Sequence, residues 1–171
     1  PRARGPGAPG DGVAMSVDRS RIESLVRELI IAIGEDPNRA GLEQTPARVA
    51  DAYAEFFSGV GEDPGAPLDR TVSIADADGH DVVVSGAVML RDVQFRSVCE
   101  HHLLPFVGTA HIAYLPGAQV VGLGALPRVV DVLASRPQVQ ERLGEQIADV
   151  IASRIDARGV LVVLDAVHGC V

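Results

Sequence analysis

Within the stretch Ser97-Val98-Cys99-Glu100-His101-His102-Leu103-Leu104-Pro105, a cysteine and two histidines fall inside four residues, where an apolar segment gives way to a loop. The other cysteine, Cys170, lies near the end of the chain beside His168. Thiolate sulfur and imidazole nitrogen are common zinc ligands; a structural site closes with four protein ligands, while a catalytic site keeps one position for water. The candidates are Cys99 and Cys170 with His101, His102 and His168. A site of two thiolates, one histidine and water leaves two histidines free to transfer protons. Plainer roles compete: two buried apolar thiols, a disulfide, or ordinary loop histidines. A shared ion is favoured because both pieces stand at strand ends, where one sheet can bring them together.

Composition sets the frame for that chemistry. A chain of 171 residues suits one domain with a useful core, and 47% hydrophobic with 22% charged residues indicates a globular protein. The net charge of −8 argues against general affinity for nucleic acid or anionic membranes. Any phosphate-bearing ligand then requires a local basic cluster. No apolar run approaches the length of a membrane span. Pro1 to Asp11 is rich in Pro, Gly and Arg without an apolar signal core, so residues 1–17 read as a flexible leader, with Met15 an alternative start. Two cysteines and no export signal favour a reducing cytoplasm.

The elements that must position these residues follow from periodicity. Ile22, Leu25, Val26, Leu29, Ile30 and Ile33 form one helical stripe, capped by Asp18 or Ser20 and followed by Gly34, and predict a helix packed for stability. Thr45-Pro46 predicts an N-cap followed by proline at the first helical position, with Val49, Tyr53, Phe56 and Phe57 on one face and Arg48 off it. Val82-Val83-Val84, Val88 to Cys99 and Gly108 to Leu115 read as strands. Their period-two alternation indicates an antiparallel sheet with one wet face, and His111 falls on that face. Leu126, Val129, Val130 and Leu133 line a helix with Pro127 in its first turn. Pro137 is expected to end that helix and begin another, lined by Val139, Leu143, Ile147, Val150 and Ile151, with Glu141 off its stripe. Val160 to Val167 is a nearly continuous apolar run, read as a central strand that delivers His168 and Cys170. The order helices, strands, helices, strand indicates α+β.

Three segments carry a family resemblance: Cys99-Glu100-His101-His102-Leu103-Leu104-Pro105, Arg136-Pro137-Gln138-Val139-Gln140-Glu141-Arg142-Leu143, and Asp165-Ala166-Val167-His168-Gly169-Cys170. Together they resemble GTP cyclohydrolase I, and Gly41-Leu42 with Thr45-Pro46-Ala47-Arg48-Val49-Ala50 matches its helical N-terminal part. The resemblance implies the tunnelling fold: an antiparallel sheet backed by two helices, preceded by N-terminal helices (residues 18–58) and followed through residues 71–171, within one domain over 18–171. It implies subunits that join into barrels, a homodecamer, and active sites between subunits. It further implies that Cys99, His102 and Cys170 hold zinc, that His101 and His168 transfer protons, that Gln140 and Glu141 anchor the guanine edge, and that Arg48 and Arg128 face the phosphates. The implied reaction opens the guanine imidazole ring of GTP, releases formate and gives 7,8-dihydroneopterin triphosphate, the entry to folate and other pterins.

Departures from the family pattern fall on the phosphate end. Gly122-Leu123-Gly124-Ala125 stands where the family usually carries Gly-Leu-Ser-Lys, Asp51 replaces a basic residue, and the given sequence stops at Val171 before the family's Arg-Gly segment, either because it covers part of the natural chain or because the protein is short. Each lost cationic contact is a charge-assisted hydrogen bond of roughly 1.5–3 kcal/mol, so weaker triphosphate binding is expected. Two alternatives follow: a paralogue acting on a less phosphorylated or altered purine nucleotide, and a non-catalytic zinc-binding subunit serving assembly or regulation. Another tunnelling-fold enzyme, the nitrile reductase of queuosine synthesis, uses a nucleophilic cysteine and NADPH; the Cys99 to His102 arrangement fits zinc better.

Overall fold

A computed structural model of the chain describes residues 17–74 and 86–170. The leader Pro1 to Asp11 and the strand expected at Val82-Val83-Val84 lie outside the described residues. The first helix, α1 (Arg19–Ala32), starts where Asp18 accepts from the Arg21 N–H at 3.0 Å, and the chain leaves it through Gly34 at φ +89°. Its apolar stripe is only partly used. Ile30 is buried, but Leu25, Leu29 and Ile33 stay exposed, because α1 packs mainly on the next helix rather than on the sheet.

That helix, α2 (Thr45–Phe56), carries Pro46 in its first turn as expected, yet Thr45 is not its cap. Gln44 already has helical dihedrals, and the Thr45 N–H is satisfied by the Leu42 carbonyl at 2.9 Å. The turn before the helix thus runs into it, and the Thr45 hydroxyl only reaches back weakly to Gly41 (3.4 Å).

Two short strands, β1 (Thr71–Ser73) and β4 (Gln119–Val121), form a separate antiparallel ribbon. The main sheet contains β2 (Val88–Cys99), β3 (Pro105–Leu115), β5 (Pro137–Gln138) and β6 (Gly159–His168), in the order β5-β2-β3-β6. β2, β3 and β6 are antiparallel, and β5 runs parallel to the end of β2. Val93 and Phe95 on β2 and Ala110, Ile112 and Tyr114 on β3 point into the core. They meet α3 (Ala125–Ala134) through Leu126, Val129, Val130 and Leu133, and α4 (Gln140–Arg154) through Leu143, Ile147 and Ile151, all buried. Each such side chain contributes roughly 1.5–3 kcal/mol relative to exposure. The architecture is therefore α+β, a sheet backed on one face by two helices, with the helical pair α1 and α2 ahead of it.

Two further expectations need correction. Pro137 does not begin α4: it sits in β5, where a two-residue edge strand tolerates its missing N–H. Val139 is still extended (φ −118°, ψ 147°), which delays the helix to Gln140. Among the described residues the run Val160 to Val167 is an edge strand rather than a central one. β6 pairs, among the described residues, only with β3, and Leu161, Val163 and Val167 project from the uncovered face. An apolar run is two-sided, but the helices cover only one of its sides.

His111 is half-buried on the open face, as expected, and accepts the Asp92 N–H at Nδ1 (3.3 Å) across a bulge in β2. Gly108 on β3 lies opposite Ala166 on β6, with no room for a side chain. A Cβ built there would lie 2.2 Å from the Asp165 carbonyl oxygen. Gly108→Ala is expected to lose about 1–3 kcal/mol, as overpacking does. The loss is to be read by urea denaturation, together with faster amide exchange in β6 than in α3.

Candidate metal centre

β2 ends at Cys99, and a tight turn reverses the chain into β3. The Cys99 N–H donates to Leu104 O and the Leu103 N–H to Cys99 O, both at 2.8 Å, with Leu103 in the left-handed region at φ +54°. On the other side of β3, β6 runs until His168 stands opposite Phe106. The Gly169 N–H then donates to Pro105 O at 3.0 Å; a Cβ at 169 would sit 2.9 Å from that oxygen, so glycine lets the strands stay close. This closure carries Cys170 back over the end of β2.

The result is that one ligand atom each from Cys99, His102 and Cys170 lies within 4.8 Å of the others. Cys99 is buried, Cys170 half-buried and His102 exposed; both thiols are free rather than disulfide-bonded. Zinc bonds to sulfur and imidazole nitrogen are about 2.0–2.3 Å long, so three atoms so grouped fit one ion with a face left open. The Cys99 thiol is drawn below its ordinary pKa, first by the His101 backbone N–H and then, against burial, by Cys170. Burial and the neighbouring Cys99 push Cys170 the other way. The fold thus favours ionisation of Cys99 and opposes that of Cys170.

The two histidines expected beside the ligands are placed differently. The His168 ring stacks on Phe106, with centroids 4.7 Å apart and planes 2° from parallel. Its Nε2 lies 2.9 Å from Gln140 Oε1, while Gln140 Nε2 donates to the Leu164 carbonyl at 3.1 Å. That second bond orients the amide, so His168 carries its proton on Nε2 and turns Nδ1 toward Cys170 Sγ, 3.9 Å away. His101 instead projects into solvent, 4.0 Å from Glu100. Gln140 is engaged at both ends of its amide. Glu141 is exposed and lines an open pocket of about 450 Å³ with Gln140, Gly144, Glu145, Val162 and Leu164. Arg48 and Arg128 are exposed on α2 and α3 and do not line that pocket; Arg128 Nε donates to Gly124 O at 3.1 Å.

Sequence reasoning missed Phe106 and the polar support beneath the loop. Gln138, 2% exposed and opposite Cys99 in register, donates to Leu133 O (3.0 Å) and Gln146 Oε1 (2.9 Å) and accepts from Arg142 Nε (3.2 Å). Arg142 also pairs with Glu100 and donates to Pro137 O at 3.3 Å. The available signal was Arg142 lying four residues after Gln138, one turn away. Its reach to Glu100 had no local signature.

A cluster of two thiols and an imidazole at the end of an antiparallel sheet, beside an oriented histidine, defines the class: an α+β protein with a candidate hydrolytic metal centre. Residues 22–171 match the family model described as GTP cyclohydrolase I. The protein named GTP cyclohydrolase 1 of Leifsonia xyli subsp. xyli is 60% identical over 154 residues, which are 90% of this chain and 78% of that relative. Those of Rhodopirellula baltica (53% identical; 90% of this chain, 64% of the relative) and Corynebacterium glutamicum strain R (50%; 90% and 75%) are also similar. The chain belongs to the GTP cyclohydrolase I family, a family of enzymes.

Arg142 holds the Glu100 carboxyl below its ordinary value of 4.5, chiefly through their hydrogen bond. A carboxylate whose folded pKa is depressed contributes stability that is whole above its unfolded pKa and is lost as pH falls through the lower folded value. Unfolding titrations between about pH 3 and 6 should show wild type losing more stability on acidification than Glu100→Gln.

Proposed function

We propose that the protein is a zinc-dependent GTP cyclohydrolase, which opens the guanine imidazole ring hydrolytically, releases formate and yields 7,8-dihydroneopterin triphosphate. The observation that carries this reading is the convergence of Cys99, His102 and Cys170 in a chain of this family. When bound there, zinc supplies a water acidified toward neutral pH. His168 moves the proton at Nδ1, the nitrogen turned to the ligand cluster, while the Gln140 carbonyl oxygen accepts from Nε2–H and holds the ring in place. His101, the expected second proton carrier, reaches the ring nitrogens from the exposed side of the same loop in this reading. Glu141 at the pocket's edge accepts the guanine N–H groups and so rejects adenine, whose unmatched edge is costly to bury. Gln140 supports that anchor from its place in the pocket wall, and Arg48 and Arg128 supply positive charge toward the phosphates.

The reading includes homo-oligomers, decameric barrels by family resemblance, with sites shared between subunits. It is supported by the open β6 edge and by the exposed Leu161, Val163 and Val167 next to the strand that carries Cys170. Paired free thiols suit a reducing cytoplasm. A second reading, action on a less phosphorylated purine nucleotide, is favoured by Gly122 to Ala125, which lead into α3 with neither a hydroxyl nor a cation of their own.

Purified protein given GTP, GMP and guanosine is expected to release formate and form a fluorescent pterin from GTP. Release from GMP or guanosine but not GTP would install the second reading. Failure with all three at full zinc occupancy would make the chain a non-catalytic subunit. His168→Ala should lower turnover by about 10²–10⁴ with zinc retained, whereas Cys170→Ser should lose both zinc and turnover.

A further inference from the structure

The strand end that carries Cys99 is tied to both backing helices by a single polar cluster. Glu100 donates its N–H to Gln138 O at 3.0 Å, continuing the β2–β5 pairing one residue beyond Cys99. Its carboxylate pairs with Arg142 on the first turns of α4. Arg142 in turn holds the buried Gln138 amide oxygen at 3.2 Å and the Pro137 carbonyl at 3.3 Å. The Gln138 amide nitrogen then bonds the last turn of α3 at Leu133 O and α4 at Gln146. Among the described residues, no buried side-chain nitrogen or oxygen lacks a partner.

We propose that Arg142 is a positioning residue of the metal centre: its guanidinium fork, bonded at once to Glu100, Gln138 and Pro137, sets where the Cys99–His102 turn stands relative to Cys170. The inference rests on the metal-centre reading above. The turn has little else on that side. His101, His102, Leu103 and Leu104 are all exposed, so packing does not hold His102 against Cys99 and Cys170. Position must come from the backbone bonds of Cys99 and Glu100 and from the Glu100 side chain. Two of these three anchors, the Glu100 N–H and its carboxylate, run to β5 and α4, and Arg142 joins them. A planar five-donor group can bridge three acceptors in fixed directions; a lysine ammonium on a flexible stem cannot reproduce that fork. Removing Arg142 strands two groups together, the Glu100 carboxylate and the buried Gln138 oxygen.

The test uses the full chain, stripped of metal by chelator dialysis and titrated with zinc against a chromophoric chelator. Cobalt(II) absorption spectra and thermal melts in excess chelator accompany the titration. Arg142→Met is expected to bind zinc about 10–100-fold more weakly, the range for groups that orient metal ligands from behind, and to shift the cobalt ligand-field bands. Arg142→Lys should resemble Arg142→Met more than wild type. A merely structural role would lower the melting point in chelator while leaving zinc affinity and the cobalt spectrum unchanged, and that result overturns the proposal. Full recovery by Arg142→Lys overturns it as well. Should Arg142→Met not fold, Glu100→Gln decides on the same criterion, with weaker zinc binding expected and unchanged binding overturning. If wild type takes up no stoichiometric zinc, or Cys99→Ser keeps wild-type affinity, the metal-centre reading itself fails and the proposal falls with it.

Discussion

The candidate site depends first on the antiparallel register of β2, β3 and β6. Cys99 and Cys170 are 71 positions apart, and no local contact could bring them together. β3 stands between the two strands that bear them, and both neighbours end at the same end of it: Val98 opposite Pro105 on one side, His168 opposite Phe106 on the other. The bond from Gly169 N–H to Pro105 O fixes the last step, one residue before the second thiol. A slip of one residue in either pairing would turn the alternating side chains to the wrong face. The buried alternation of Phe95, Phe106, Ala110 and Ile112 against the two helices makes such a slip costly. Core packing and ligand placement are therefore one constraint: the apolar face that holds the helices also sets which residues end together.

Much of this was legible in residue order because period-two patterning is a direct record of which face is buried. It found β2 and β3, and the helical stripes of α3 and α4 were equally plain. The donors Cys99, His102 and Cys170 stood out by type. What spacing cannot do is separate His101 from His102. The turn decides that: Leu103 in the left-handed region and the Cys99–Leu104 bonds bring the second imidazole to the cluster and leave the first in solvent. Pro137 was misread because the same missing N–H suits a first helical turn and an edge strand. β6 was misread because a continuous apolar run records that both faces avoid water, not which molecule covers them. α1 is the same lesson at a smaller scale, since half of its stripe finds no cover within the described chain.

A division of labour follows. Backbone hydrogen bonds place the donors, and side-chain hydrogen bonds aim the groups around them. Gln140 and Phe106 fix the His168 ring in plane and in tautomer, while Gln138 and Arg142 fix the loop. Neither set is visible in a hydrophobic pattern, because each links residues on different elements through groups that, taken singly, look like solvated polar side chains. Gln138 shows the difference: it is buried almost completely, with its amide satisfied on both atoms, so it acts as an internal strut.

Electrostatics explains why the strut includes an arginine. The cluster gathers two thiols beside a glutamate in a chain of net charge −8. The Glu100 charge works against the Cys99 thiolate, and burial together with Cys99 works against the Cys170 thiolate. A carboxylate at that position is tolerable only where a cation takes up its field, and Arg142 does so at hydrogen-bond contact. The backbone N–H of His101 is the leading influence on Cys99. The fold thus favours ionisation of one thiol of the cluster and opposes that of the other.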